Sequence, residues 1–315
     1  MIALLTSILA ITVRAGTSLV YAAIGETYTE RSGILNLGVE GMMLMGAATA
    51  FAVTYWTGNP WLGVAVAIAV GAVMAAMHAF LTVTMRANQV VSGLSLTLFG
   101  TGLASFLGQR LGPGGGALVG LAGAKFDPIV IPVLSRIPVL EALFRQDILT
   151  YAVYLLVPLA WFFLYKTRFG LNLRATGENP QTADAMGISV ARTRYVYTIL
   201  GGALAGLGGA HLSLAYTPGW AENITGGRGW IVVALVIFAM WNPARTVLGA
   251  LLFGGINAVQ FRLQAAGAHI PAAYLNMLPY VATIAVLVAI TWWEALSKRV
   301  GAPAALGKAY MREDK

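Results

Sequence analysis

Apolar runs long enough to cross a lipid bilayer recur along almost the whole chain, and they limit its fold more than any other feature. A helix needs about 20 mostly apolar residues to span the hydrocarbon core, and only helices and closed barrels satisfy their backbone hydrogen bonds there. The sequence is 58% hydrophobic and only 10% charged, whereas soluble domains are about 25% charged. We therefore predict an all-α polytopic membrane protein.

The spacing of the apolar runs predicts about nine transmembrane helices, within a range of about eight to ten. Glycine-rich polar stretches interrupt the pattern at 25–33 and 217–229, which favours broken or re-entrant segments and leaves an internal repeat open. Residues 1–300 are expected to form one transmembrane domain, and residues 301–315 a cytoplasmic tail. The predicted spans are 2–24, 34–55, 61–84, 89–109, 148–165, 195–216, 230–241, 246–265 and 276–296.

Basic residues indicate which loops lie in the cytoplasm, because Lys and Arg are enriched there. Five fall within residues 166–194, and several more follow the last span. With nine spans, this places the C-terminus inside and the N-terminus outside, and it makes residues 110–147 the longest external loop. The net charge of +8 is thus a sign of topology and not of nucleic-acid binding. These basic residues include Lys166, Arg168, Arg174, Arg192 and Arg194, then Lys298, Arg299, Lys308 and Arg312.

A short helix is predicted inside the polar segment 166–194. Asn179 is a favourable N-cap, and Pro180 fits the first helical position. Asp184 suits the positive end of the helix dipole, and Gly187 is a natural C-terminal stop. Two apolar spans flank this helix, so it is expected to project from the membrane surface as a docking element.

Four sequence blocks carry a family resemblance. They are ERSGILNLGVEG at 30–41, GENPQTADAMGI at 177–188, GGRGWI at 226–231, and LFGG at 252–255 together with MLPY at 277–280. In these blocks the chain resembles the permease subunits of ABC importers for simple sugars and nucleosides, which are related to the ribose and branched-chain amino-acid permeases. The likeness spans almost the whole chain and is greatest to the nucleoside branch. One departure is Gln89, where that branch leads us to expect a glutamate.

The resemblance implies an ATP-driven importer of nucleosides in the bacterial plasma (inner) membrane, or, as an alternative, of ribose or another simple sugar. Its partners would be an ABC ATPase, a second permease that is identical or homologous, an extracytoplasmic substrate-binding protein and membrane lipid. The chain itself would be no enzyme and would need no cofactor. The residues expected to couple it to the ATPase are Gly177, Glu178, Asn179, Pro180, Ala183, Asp184 and Gly187.

Polar side chains inside spans are costly and often functional. They are candidates for the translocation pathway, but each could instead tie helices together or cap a broken helix. For Asn36 and Glu40 we favour this structural role, because the glycines beside them free backbone groups that need partners. The candidates are Asn36, Glu40, Gln89, Ser92, Asn257 and Gln260.

The external hairpin 217–229 offers a second set of candidates, Glu222, Asn223, Arg228 and the adjoining Trp230. Arg228 is expected either to pair with Glu222, which we favour, or to face a binding protein. His78 and His211 lack a third ligand at metal-site spacing and are interpreted as hydrogen-bonded core histidines.

Two other classes of function are alternatives to the importer. An ion-driven secondary transporter would need an embedded carboxylate, for which Glu40 is the candidate. An intramembrane enzyme has little support, because the chain contains no cysteine and no convincing catalytic constellation.

Overall fold

The fold is described by a computed structural model that covers residues 2–312, apart from 133, 134, 136, 138, 266–270 and 298–300. Lys298 and Arg299, expected to mark the cytoplasmic side, lie outside the described residues. The described chain is mostly helical, and its one sheet pairs β1, Ile129–Val130, with β2, Arg145–Gln146. The prediction of an all-α protein is therefore confirmed.

Twelve α-helices follow one another along the described residues. Short π-helical turns extend α3 to Thr84 and α9 to Tyr216. The helices are α1 Ile2–Arg31, α2 Val39–Thr57, α3 Pro60–Ala79, α4 Gln89–Arg110, α5 Glu141–Phe144, α6 Ile148–Lys166, α7 Arg168–Glu178, α8 Pro180–Ala185, α9 Val190–His211, α10 Arg228–Phe238, α11 Pro243–Ala265 and α12 Ala272–Ser297.

Six of the described helices are long and apolar enough to cross a membrane. Helix α2 has 19 residues but contains Glu40, and α10 has only 11 residues, so neither meets this measure. The count of nine spans and the re-entrant segments stay predictions. The six segments are Leu5–Arg31, Pro60–Thr84, Gln89–Arg110, Ile148–Lys166, Val190–Tyr216 and Pro243–Gln264.

Helices α1 and α9 form the centre of the bundle. In the most apolar stretch of each, 72% of the residues are buried, against 28–41% in the other four candidate spans. Residues that face protein instead of lipid need no continuous apolar surface, which allows these two helices to hold the polar groups described below. They run antiparallel, because Gly25 near the end of α1 faces Gly201 near the middle of α9, whereas Ser18, earlier in α1, faces Gly208 near the end of α9.

Small residues allow the helices around α9 to approach closely. A Cβ atom added at Gly71 would lie 2.2 Å from the carbonyl oxygen of Gly202, and one added at Gly206 would lie 2.2 Å from that of Ala67. The small residues of α3 and α9 therefore allow the two helices to pack in close contact.

The two halves of the bundle exchange equivalent contacts. Helix α1 leads through a polar break to α2, and α9 leads through the 217–227 segment to α10. Helix α1 packs against α10 and α11, while α9 packs against α2 and α3. This exchange between antiparallel helices is the pattern that an inverted repeat produces.

Candidate functional site

Helices α7 and α8 lie at one end of the bundle, next to the end of α1 and the start of α9, and we call the surface that they form the coupling face. The side-chain oxygen of Asn179 accepts a hydrogen bond from the Thr182 backbone N–H at 2.9 Å, and Pro180 occupies the first turn of α8. Gly187 ends the turn with a φ of 83°, a conformation that favours glycine. The short helix predicted from this sequence is therefore present.

The outer surface of α8 is free of contacts with the bundle. Pro180 and Ala183 are buried against the chain, whereas Gln181, Thr182 and Met186 are exposed, Met186 to 77%. An exposed methionine at the tip of a short helix can adapt its shape to a groove on another protein.

Residues 301–312 are packed across the coupling face. The backbone N–H of Ala305 donates to the Gly177 carbonyl oxygen at 2.9 Å, and that of Gly307 donates to the Gly33 carbonyl oxygen at 3.2 Å. The Arg312 guanidinium lies 3.0 Å from the Asp184 carboxylate. This segment thus joins helices α7 and α8 to the break between α1 and α2.

Arg194 on α9 is the buried link beneath this segment. Its side chain is 1% exposed, and it donates to the carbonyl oxygens of Ser32 at 3.2 Å and Lys308 at 3.1 Å. The sequence identified Arg194 only as a marker of topology. Its neighbour Arg192 is exposed, and local sequence does not distinguish the two roles.

The break between α1 and α2 lies at residues 32–38, and the predicted interruption at 25–33 is wrong for residues 25–31, because α1 stays helical through Arg31. Three of the predicted pathway residues hold this break. Asn36 contacts the carboxylate of Glu26 through its backbone N–H and its amide, and its side-chain oxygen accepts from Gly38 N–H at 2.9 Å. Gln89 accepts from Leu35 N–H at 2.7 Å. Each bond satisfies a backbone or side-chain group that the broken helix would leave unpaired.

Ser92 reaches the same break through His78. The Ser92 hydroxyl lies 2.9 Å from His78 Nδ1, and His78 Nε2 lies 3.1 Å from the Leu35 carbonyl oxygen. The interpretation of His78 as a hydrogen-bonded core histidine is confirmed. Among the residues that the structure describes, no group of three or more histidine, aspartate or glutamate side chains could hold a metal ion.

Glu40 caps the start of α10. Its carboxylate accepts hydrogen bonds from the Thr225 hydroxyl at 2.6 Å and from the backbone N–H groups of Gly227 at 3.0 Å and Gly229 at 2.5 Å. Glu40 is 5% exposed, and its charge lies at the positive end of the α10 dipole. These contacts explain why a carboxylate is present inside the bundle, and the explanation does not require Glu40 to couple transport to an ion.

The remaining two pathway candidates lie on another helix. Asn257 is half-buried and Gln260 is 6% exposed, and both belong to α11, which packs against α1, α6 and α12. The structure therefore brings Asn36, Gln89 and Ser92 together at one break, and it places Glu40 at the other.

The hairpin before α10 differs from the expected arrangement. Glu222 accepts from Ser105 at 3.0 Å and from Gln109 at 2.8 Å, both on α4. The favoured pairing of Arg228 with Glu222 is therefore wrong, because α4 supplies nearer donors. Arg228 instead donates to the Ala15 carbonyl oxygen at 3.0 Å. Asn223, with a φ of 53°, forms the turn that leads to α10, and Trp230 is 38% exposed.

Residues 7–287 match the family described as the permease component of branched-chain amino acid transport systems. The chain belongs to this permease family. The permease is 46% identical to the putative glucose ABC transporter permease protein of Haloferax volcanii, over 96% of each chain. It is 36% identical to the nucleoside ABC transporter permease protein of Lactococcus lactis subsp. cremoris, over 86% of this chain and 88% of the relative.

A guanosine ABC transporter permease protein of Bacillus subtilis is 33% identical to the permease, over 92% of this chain and 93% of the relative. No solved structure matches the chain. The chain is thus a multi-pass membrane protein and a permease subunit of an ABC transporter, as its sequence blocks led us to expect.

One buried group of the permease was not singled out from the sequence. Asp147 caps α6 by accepting from the backbone N–H and the hydroxyl of Thr150 at 2.9 and 2.7 Å, and it lies 3.6 Å from His211 Nε2. Burial by itself would raise the pKa of Asp147, but the hydrogen bond and charge of His211 and the two bonds from Thr150 outweigh it, so the pKa lies well below its ordinary value. His211 is fully buried, as expected of a core histidine. An aspartate directly before an apolar run is the signal that could have identified the cap.

Proposed function

We propose that the permease forms the membrane pathway of an ATP-driven importer whose substrate is a nucleoside. The observation that carries this proposal is the similarity over most of the chain to two relatives named for nucleoside and guanosine transport. A simple sugar such as glucose or ribose is the second candidate, because the Haloferax relative named for glucose is 46% identical.

In the proposed complex, the coupling face lies in the cytoplasm and α8 enters a groove on a separate ABC ATPase. The buried Pro180 and Ala183 and the exposed Met186 give α8 an anchored side and a free side, as a docking helix requires. A second permease, identical or homologous, would complete the pathway within the lipid of the plasma membrane. An extracytoplasmic binding protein would deliver substrate to the opposite face, where the N-terminus lies.

ATP binding would shift the complex between inward-open and outward-open states through α8. Two contacts at the end of α7 could transmit a movement of α8 to the membrane-spanning helices. Arg31 at the end of α1 lies 3.7 Å from Glu178, and the 301–312 segment binds both Gly177 and Gly33. A displacement of α8 would therefore be transmitted to the break that Asn36 and Gln89 support.

The substrate is tested by uptake of labelled guanosine, uridine, ribose and glucose into cells that express the permease with its partner subunits. We expect uptake of a nucleoside that depends on ATP and persists when ion gradients are collapsed with ionophores. Uptake of sugars alone would replace the nucleoside proposal with its alternative. Uptake abolished by the ionophores at a constant ATP level would contradict ATP-driven import.

The docking role of α8 is tested by Met186→Glu, which places a charge on the free side of the helix. We expect ATP-dependent uptake to fall at least tenfold, and the ATPase to copurify less well, while the permease keeps its thermal stability. The matched control is Met85→Glu, since Met85 is also an exposed methionine, at 62% exposure, and lies outside α8, in the turn between α3 and α4. Normal uptake by Met186→Glu would show that α8 is not the docking element.

A further inference from the structure

A cavity of about 610 Å³ opens at the end of α9 that is remote from the coupling face. Gly120 and Leu121 of the 110–147 loop form one side, and the hairpin from Tyr216 to Ile224 forms the other. Arg228, the first residue of α10, also lines it. Its volume lies within the range of about 300–1,000 Å³ that small-molecule sites occupy. We call this space the outer cavity.

Arg228 brings an unneutralised cation to the outer cavity. Its side chain is 8% exposed, and the described residues include no carboxylate within ion-pair distance of it, because Glu222 is held by Ser105 and Gln109. The protein supplies one hydrogen-bond acceptor, the Ala15 carbonyl oxygen, to a group with five N–H donors. The nitrogens that have no protein partner are not sealed from solvent, so they are open to a bound molecule.

Tyr216 supplies an aromatic surface beside this cation. The Arg228 guanidinium lies 5.0 Å from the centre of the Tyr216 ring, and the buried Trp220 lines the same cavity. Flat nucleobases stack on aromatic rings and on guanidinium planes, and their edges carry carbonyl and ring-nitrogen acceptors. A hexose offers hydroxyl groups but no flat π surface. The chemistry of the outer cavity therefore favours a nucleobase over a simple sugar.

We propose that the outer cavity is a nucleobase-binding site at which an arriving nucleoside is first held by the permease. Arg228 donates to an acceptor on the edge of the base, and Tyr216 contacts the base through its ring. The site adjoins the junction where Glu40 caps α10, since Arg228 is flanked by Gly227 and Gly229, whose backbone N–H groups donate to Glu40. This inference rests on the proposed import of nucleosides.

The test uses the full complex in nanodiscs without its binding protein, and labelled 8-azidoguanosine as the photoreactive probe. We expect light-dependent labelling of the 212–228 segment or of residues 120–121. Excess guanosine should compete with the labelling, and equal glucose should not. Tyr216→Leu should lower specific labelling about tenfold, the effect expected when stacking on a base is lost. Arg228→Gln should also lower it about tenfold, because the base then loses a hydrogen bond from a charged donor. Tyr216→Phe keeps the aromatic ring, so its specific labelling should stay within about threefold of that of the unaltered complex.

Matched controls separate a binding effect from general damage. Tyr274→Leu removes a tyrosine that is 66% exposed on α12 and should leave labelling unchanged, and the melting temperature of each variant shows whether it is folded. Docking of the binding protein is measured on the same samples and should be unaffected. If Arg228→Gln weakens that docking tenfold but leaves labelling intact, the surface is a protein contact and the proposed site is wrong.

The two proposals fail in different ways. If the unaltered complex takes up no nucleoside, the proposed function fails. If it takes up guanosine, yet the probe labels another segment or the Arg228 and Tyr216 variants label normally, only the outer cavity assignment fails.

Discussion

The Glu40 carboxylate accepts a hydrogen bond from the Gly227 backbone N–H at 3.0 Å, which joins the start of α2 to the start of α10. The two residues lie 187 positions apart in the chain. Glu40 belongs to α2 and Gly227 directly precedes α10. Both helices begin after a polar break, so this contact fixes the two breaks relative to each other. A movement that separates the two halves of the bundle must either break this hydrogen bond or move Glu40 and Gly227 together.

Glu40→Gln is expected to destabilise the permease without unfolding it. The carboxylate accepts three hydrogen bonds, whereas an amide would turn an N–H group towards one of the donors and remove the charge at the α10 N-terminus. Bonds to a charged group contribute about 1.5–3 kcal/mol each, so we expect a loss of about 2–3 kcal/mol and a clearly lower melting temperature in detergent. Glu222→Gln is the control, because its oxygen can still accept from Ser105 and Gln109. An unchanged melting temperature for Glu40→Gln would contradict the capping role.

Two Gly→Ala substitutions should have opposite effects. Gly71→Ala places a methyl group 2.2 Å from the Gly202 carbonyl oxygen, so α3 and α9 must separate, at a cost of about 1–3 kcal/mol. Gly102→Ala on α4 meets no atom within 4 Å and should be neutral or stabilise the helix by up to about 1 kcal/mol. Thermal unfolding of the purified permease measures both. Equal melting temperatures would mean that the α3–α9 contact is looser than the structure shows.

Arg194→Gln should release the 301–312 segment from the coupling face. Glutamine is too short to bridge the carbonyl oxygens of Ser32 and Lys308 as the guanidinium does. We expect trypsin to cut after Lys308 several times faster than in the unaltered permease. Arg192→Gln, which changes an exposed arginine on the same helix, is the control and should be cut at the original rate. Slow cleavage of Arg194→Gln would show that Gly177 and Gly33 suffice to hold the segment.

Asp147→Asn should lower stability at neutral pH by an amount that shrinks in acid. The folded-state pKa of Asp147 is lowered by His211 and Thr150, so its contribution is fully present above the ordinary carboxyl pKa of about 4. That contribution is lost as pH falls from there towards the lowered pKa. Melting temperatures of the variant and the unaltered permease should therefore differ at pH 7, and the difference should narrow progressively as the pH falls below about 4. Asp127→Asn, at a side chain that is 77% exposed, should show no such difference at either pH, and a constant gap for Asp147→Asn would contradict the assignment.

Much of the site could be predicted because its signals are local. The helix α8 follows from the cap Asn179, the proline after it and the stop at Gly187, all within nine residues of chain. The polar residues near the breaks were recognised from their cost inside a membrane. Their partners were not, because nothing in the polar stretch 25–33 shows that the Glu26 carboxylate faces Asn36. For the same reason Glu222 was assigned to Arg228, its neighbour in sequence, and not to Ser105 and Gln109 on α4.

The sequence by itself determined the class of the protein. Apolar length fixes membrane insertion, and the blocks at 30–41 and 177–188 indicate the permease family, because both are properties of contiguous residues. Only the tertiary structure decided which polar groups satisfy one another. Glu40 meets Thr225 across 185 positions of chain, and Arg194 meets Lys308 across 114. Such pairings depend on how helices pack in three dimensions, since a buried donor takes whichever acceptor the packing brings within about 3 Å.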